Sequence, residues 1–468
     1  MTRVDPHTPV LIGGAQLNRR EPDDRDALDL MVAATEAALV DAGAAGSAHR
    51  IGLVASIAGL WSWRDPGALI ADRIGAGGAR TLLTTFGGQT PQALVGALAA
   101  RIQAGDLDLA VVCGGETNRS RRRARREGRK LRRTEEPPAA SPDEIWGDPL
   151  DMGSELERQR GVTAPATSYA VIETALMAEM GRTPAEHLTA ISGLWAGFAD
   201  VAASNPHAAD RSRPDAAEIA RPTARNRAVA WPYTKAHCAN NDVDMAAALV
   251  MCSARTASDL GCPRDRWVFA HTATTASDTS SLTRRHRLHL SDAIVEAGRT
   301  ALDLAGVTVD DVTHLDLYAC FPAIVEMTTS ALGVDESRAL TLTGGLGFAG
   351  APMNTSSLHG LCAMIDASRS DPGFALIHAN GGHAAKQAFG VYATAPPASP
   401  FVAVDLPLHP GRRVRPAAPA DATGEITIEA YTVVHGRDGP DRAVLACLTG
   451  DGARAWAGSD EPSLLSSL

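Results

Sequence analysis

Two distant stretches of this chain read alike. In the first, the Gly-rich segment TTFGGQTPQAL leads into a helix that starts at Thr90-Pro91, because proline fits the first helical position. That helix runs to about Gly105, and a strand, LDLAVVC, follows and ends at Gly114-Gly115. In the second, TGGLGFAGAP leads into a helix through Ser356 and Leu361, and the strand FALIHA (374–379) ends at Asn380-Gly381-Gly382. Each half therefore runs Gly-rich loop, helix, strand, Gly-Gly. This is a degenerate duplication of large units, not a short solenoid repeat.

The flanking pattern alternates strands and helices. Residues 9–15 (PVLIGGA), 51–56 (IGLVAS) and 314–320 (HLDLYAC) have strand character. Between the first two, Asp26 to Gly43 carries Leu28, Met31, Val32, Thr35 and Leu39 at helical spacing, with Gly43 as a stop. Such alternation implies an α/β sheet covered on both faces. A polar insertion rich in Arg, Pro and Ala separates the halves, and a Pro-rich linker follows Pro396-Pro397. The tail from Gly424 has two period-two runs, ITIEAYTVV and RAVLACLTG, joined by GRDGPD, a hairpin signal. With 468 residues to distribute, the boundaries fall at 1–118, 119–265, 266–396 and 397–468, the last a small all-β appendix.

Composition narrows the function classes. Apolar residues make up 45% and charged residues 21%, the balance of a soluble globular protein. No run of about 18 apolar residues predicts a membrane span. The N-terminus goes straight into a strand-like run, so no signal peptide is expected. Seven scattered cysteines without a CxxC pair suit a reducing cytoplasm and give no metal site. A net charge of −10 argues against nucleic acid as a partner. The segment 119–133, RSRRRARREGRKLRR, is the exception. It reads either as a solvated face or as a phosphate-binding one, since arginine pairs bidentately with phosphate.

The segments PYTKAHCANNDVDMAAALV, DLYACFP, TGGLGFAGAPMN and ANGGHAAKQAFGVYA, in that order and spacing, resemble the thiolase superfamily. The chain is most similar to the sterol-carrier-protein-type thiolase-like proteins (type 1) with an additional C-terminal domain. The resemblance covers about residues 9–396. It implies two βαβαβαββ halves layered α-β-α-β-α, a loop domain at 119–265 and an OB-like domain at 397–468. It also implies CoA or acyl-CoA as the ligand, lying across the loop domain, with no separate cofactor. Thiolases dimerise through a strand of the first half near the nucleophile loop. The additional domain is expected to cover that surface, so a monomer is preferred over a thiolase-like homodimer.

The resemblance also locates four catalytic positions, and each carries a different side chain here. The nucleophilic cysteine of the family falls at Gly87, which has no side chain to acylate. The His-Asp-Cys-Phe motif reads Tyr318-Ala319-Cys320-Phe321. A tyrosine hydroxyl donates one hydrogen bond to an oxyanion but is a poor base. The Gly-His-Pro histidine is Ala351, and the cysteine of Cys-x-Gly is Asn380. Cys320 and His383 are further candidates for the site, weighed against a buried structural role. Asn240 takes the place of the pantetheine-contacting serine of the family. His237, Gly344, Gly345 and Gly382 complete the implied CoA-binding set. His359 and Cys113 read as core residues.

The expectation is an acyl-CoA-binding member of the acetyl-CoA acyltransferase superfamily in cytoplasmic lipid metabolism, without thiolase activity. The alternative is an aldolase acting on steroid or fatty acyl CoA esters through Tyr318. Some thiolase-fold aldolases resemble this chain in carrying tyrosine there and work with a separate OB-fold partner. A third reading is an interaction platform that CoA does not perturb.

Overall fold

The computed structural model describes residues 4–149, 151–407 and 413–468; residues 408–412 of the Pro-rich linker lie outside the described residues. The first half supplies strands β1 (Pro9–Asn18), β2 (Leu53–Ser56), β3 (Arg80–Thr84), β4 (Leu109–Thr117) and β5 (Glu144–Trp146). Two short strands follow, β6 (Ala228–Ala230) and β7 (Tyr233–Thr234), and then β8 (Asp244–Ser253). The second half adds β9 (Val268–Ser277), β10 (Val312–Asp316), β11 (Phe374–Gly381), β12 (Lys386–Ala393) and β13 (Val402–Leu406). The tail forms β14 (Ile426–His435), β15 (Pro440–Thr449) and β16 (Arg454–Ser459).

The duplication is visible in the strand order. One half runs β1-β8-β4-β2-β3 and the other β9-β12-β11-β10, so first, last, penultimate and second strands occupy equivalent places. The two half-sheets meet where Val10 pairs with Phe269 and Leu11 with Val268, joining them into one eleven-stranded sheet. Alternation along each strand sends residues to opposite faces. Val111 and Val250 face the helix Ala27–Asp41, together with Leu28 and Met31. Their neighbours Val112 and Leu249 face inward, onto Leu94 and Leu98 of the helix Thr90–Ala104 and Leu358 and Leu361 of the helix Ser356–Ser370. Ala375 and Ile377 of the second half close the same inner core, while Leu376 and Val391 face the outer helix Asp292–Ala305. The result is helix, sheet, helix, sheet, helix.

Several boundaries differ from expectation. The strand expected over 314–320 ends at Asp316, because Leu317 N–H turns away to Leu340 O and Asp316 Oδ1 accepts from Leu342 N. Tyr318-Ala319-Cys320 therefore lies in the turn that enters the helix Pro322–Leu332. β4 continues through Gly114-Gly115 to Thr117, and β11 through Asn380 to Gly381.

The tail hairpin is present, with His435 opposite Pro440 and Asp438-Gly439 in its turn. Its sheet is open rather than a closed barrel, in the order β16-β15-β14-β6-β7, so the insertion contributes two of its five strands. It packs on the insertion helix Pro165–Glu179, where Thr174 Oγ1 donates to Tyr431 O at 2.7 Å. The buried Arg454 ties it to the second half, donating to Leu282 O at 2.7 Å and to both oxygens of Glu429. The strand covering β3 is β5, from the insertion, and not the tail. Leu82 pairs with Glu144 and Thr84 with Trp146, and Asp143 Oδ2 accepts from Thr81 N at 2.8 Å. The first-half edge is thus closed by a segment next to it in sequence, whereas the tail is held on the far side by Arg454 and Thr174.

Candidate active site at the head of the inner helix

Four loops converge on the N-terminus of the helix Thr90–Ala104. Gly87 precedes it, and its carbonyl accepts from Thr90 Oγ1 at 2.6 Å and Thr90 N at 3.2 Å. Across from it, a Cβ on Gly88 would lie 2.5 Å from both Tyr318 Oη and Asn380 O, so only glycine permits this approach. Tyr318 and Ala351 share one small apolar cluster with Ala93, Leu346 and Ala379. The four positions Gly87, Tyr318, Ala351 and Asn380 are thus brought together. Ser357, at the head of the second inner helix, donates to Gly88 O at 3.2 Å and fixes the loop.

The polar groups of this centre are largely engaged with one another. Asn380 Nδ2 donates to Tyr169 Oη at 2.8 Å, and its Oδ1 accepts from Gln387 Nε2 at 3.0 Å. Gln387 in turn binds His378 at 2.9 Å. Tyr169 comes from the insertion, stacks on Phe321 at 4.8 Å, donates to Gly382 O and accepts from Ala384 N. Gln89 occupies the remaining space: a side chain at Gly87 would meet its Oε1 at 2.5 Å, and one at Gly381 would overlap it. Burial pushes the Cys320 thiol up to about 12 and the Tyr318 hydroxyl well above its ordinary range. Both are therefore protonated at neutral pH.

Comparison with known structures adds a direct match. The chain is similar to the crystal structure of a monomeric SCP2-thiolase-like protein type 1 from Mycobacterium smegmatis. The identity is 29% over 100% of this chain and 95% of that one, with a TM-score of 0.84. The chain belongs to the thiolase superfamily. The Ltp2–ChsH2(DUF35) aldolase matches at 17% identity over 83% of this chain and 98% of that one, TM-score 0.62. The dimeric peroxisomal thiolase of Saccharomyces cerevisiae matches at 12% over 84% and 98%, TM-score 0.60. At such identities these two share the fold. No protein-family model matches the chain, and no curated protein matches it.

Within this thiolase-like scaffold the other sequence-expected residues separate into two groups. Asn240 is half-buried and bonded to the backbone of Ala351, one of the four positions of the centre. Its N–H donates to Leu346 O, its carbonyl accepts from Ala351 N, and its Oδ1 accepts from Asp242 N. Cys320 stands beside it, with its carbonyl accepting from Ala239 N. His237 is fully buried. Its Nδ1 lies 3.0 Å from Thr234 Oγ1, its Nε2 lies 3.1 Å from Ser192 Oγ, and burial lowers it to about 3. His383 is buried against Arg285, which donates to its carbonyl, and is lowered to about 4 by desolvation and by that guanidinium. The Gly344 and Gly345 amides are not open, since both donate to Thr341 Oγ1. His359 is a core residue, 3.1 Å from Gln16, and Cys113 is buried in the first half.

Three residues at the centre had no local signal in the sequence: Gln89, Tyr169 and Gln387. Behind Tyr169 lies a second buried network. His187 Nε2 meets Glu173 Oε1 at 2.9 Å, Tyr233 Oη donates to Glu173 Oε2 at 2.5 Å, and Arg182 binds Glu326 at 2.8 Å. Glu173, His187 and Glu326 place ligand-type atoms within 4.8 Å of one another. The Arg182 guanidinium already supplies a cation, and burial holds both carboxyls above their ordinary range. This network anchors the helix that carries Tyr169. A cavity of about 320 Å³ borders the first turns of the helix Thr90–Ala104, between Gln89, Ala93, Trp146, Lys386 and Gln387.

Proposed function

We propose that this protein binds CoA thioesters in its thiolase-like site and does not carry out thiolysis or Claisen condensation. The observation that carries this reading is the chemistry at the head of the inner helix. Gly87, Tyr318, Ala351 and Asn380 converge there, and neither a reactive thiolate nor an imidazole stands among them. A thiolase cycle needs a nucleophile to take the acyl group and an acid/base for the α-carbon. The nearby thiols of Cys320 and Cys238 are both raised to about 12 by burial, which keeps them protonated.

Pantetheine would pass Asn240 and Cys320, and the acyl group would lie toward the cavity at Gln89 and Trp146. The pairing of β5 on β3, together with the monomeric M. smegmatis relative, supports a monomer. The setting we infer is cytoplasmic lipid metabolism; no helix among the described residues is long and apolar enough to cross a membrane. An aldolase reading would use Tyr318, whose hydroxyl burial raises above its ordinary range, a shift that favours holding a proton over abstracting one.

Calorimetric titration with CoA and acyl-CoA esters should give micromolar to millimolar binding, about 4 to 8 kcal/mol. Asn240→Trp should abolish it while the melting temperature is retained. Incubation with acetoacetyl-CoA and CoA should leave both unchanged and no cysteine acylated by mass spectrometry. Normal thiolysis with an acylated cysteine would overturn the reading.

A further inference from the structure

The duplication that builds the thiolase-like site also builds a crevice at the equivalent place in the first half. The ends of β10 and β11 line the thiolase-like centre; β2 and β4 are their counterparts. There the head of the helix Ser356–Ser370 faces the first-half strand ends, with Asn354 Nδ2 donating to Ala58 O at 2.7 Å and Thr355 packed over Gly114. Crevices outside the carboxyl ends of sheet strands are where α/β folds bind ligands. Beyond this one lies a cavity of about 330 Å³, walled by the loop after β2, by Glu116 near the end of β4 and by the arginine segment.

Its lining is unusual for a chain of net charge −10. Arg121, Arg125, Arg129, Lys130, Arg132 and Arg133 line it, against only Asp26 and Glu116. Some of these cations have partners. Arg121 pairs with Glu116 at 3.1 Å, Arg129 with Asp24 at 3.0 Å and Glu127 at 2.6 Å, Arg132 with Asp29 at 3.9 Å, and Arg133 with Glu136 at 3.8 Å while lying 5.5 Å over the Trp63 ring. Arg125 and Lys130 make no ion pair among the described residues. Trp61 and Trp63 supply an aromatic wall, their rings 5.6 Å apart and their indole N–H groups fixed on Gly115 O and Thr134 O. Charges on a solvated face spread apart; here they ring a concave, aromatic-walled space. Guanidinium groups recognise phosphate, and indoles stack on planar rings.

The geometry points to a second ligand site in this cavity, separate from the thiolase-like centre, for a phosphorylated compound bearing a planar ring, of the nucleoside phosphate class. It is independent of the CoA reading above. The same chemistry occurs in a free nucleotide and in the nucleotide end of CoA.

Calorimetry with the full chain distinguishes these sources. ADP and 3′,5′-ADP should bind in the micromolar range, pyrophosphate at least tenfold more weakly and adenosine not measurably. Affinity should fall as salt rises. The double variant Arg125→Glu/Lys130→Glu should lower nucleotide affinity at least thirtyfold without changing the melting temperature, because neither side chain is ion-paired. Trp61→Leu should lower it about tenfold and remove nucleotide quenching of tryptophan fluorescence. A free-nucleotide site that excludes CoA, because the pantetheine chain on the pyrophosphate does not fit, leaves CoA binding untouched by the double variant. If the double variant weakens CoA equally and Asn240→Trp does not, the nucleotide end of CoA is the occupant and the CoA placement proposed above fails instead. No binding at millimolar nucleotide, equal binding of pyrophosphate, or affinity unchanged in the double variant would each sink the proposal.

Discussion

At the scale of single residues, Tyr169 controls the state of the thiolase-like centre. One hydroxyl accepts from Asn380 Nδ2 and Ala384 N and donates to Gly382 O. Tyr169→Phe keeps the ring stacked on Phe321 but strands two buried donors. A loss of about 1–3 kcal/mol is expected from urea unfolding, because an unsatisfied buried group costs its full desolvation. An unchanged midpoint would mean that water or a rearranged Asn380 replaces the hydroxyl. Tyr318, Ala351 and Asn380 were legible in the sequence because each sits in a readable motif. Tyr169 was not. Its helix is buried on nearly every face, so no amphipathic stripe marks the residue, and its contact with Asn380 spans 211 positions. Gln89 was hidden differently: its role depends on the glycines at 87 and 381 leaving room for it.

At the scale of elements, the short strand β5 matters more than its three residues imply. It occupies the edge of β3, and open edges recruit partners. Its side chains contribute little core, since Ile145 is 70% exposed. The double variant Asp143→Ala/Ile145→Pro should detach it with only a small change in melting temperature. Light scattering should then show a monomer becoming a dimer. A variant that stays folded and monomeric would show that the β3 edge does not govern association. No period or turn signal distinguishes Glu144–Trp146 from the polar insertion around it, so this strand was invisible in the sequence. The long inner helices were readable because Thr90-Pro91 and the Gly-rich loops mark their starts. The end of β10 was overrun because HLDLYAC stays apolar past Asp316, where only the tertiary bond from Leu317 N–H to Leu340 O reveals the turn.

At the scale of the molecule, the duplicated body was plain from the repeated loop, helix, strand and Gly-Gly. The joint between insertion and tail was not, because β6 and β7 are too short to have a pattern of their own. That joint is pinned by Arg454, which is 0% exposed. Arg454→Met would leave Glu429 and several carbonyls of the 282–286 loop without their donor. Removing one partner of a buried pair costs about 3–5 kcal/mol. Chemical denaturation should show that loss, and Arg454→Met/Glu429→Leu should recover part of it. A single variant as stable as the parent would place the strength of the joint elsewhere.

Because one sheet draws strands from residues 228–234 and from 426–459, it cannot be completed when its first two strands are made. At roughly 5–20 residues per second the ribosome needs about 10–40 s to travel from Thr234 to Ile426. For that interval Ala230, 1% exposed in the finished protein, has no β14 beside it. The chain therefore carries an unfinished apolar seam through much of its own translation. It closes when β14, β15 and β16 emerge.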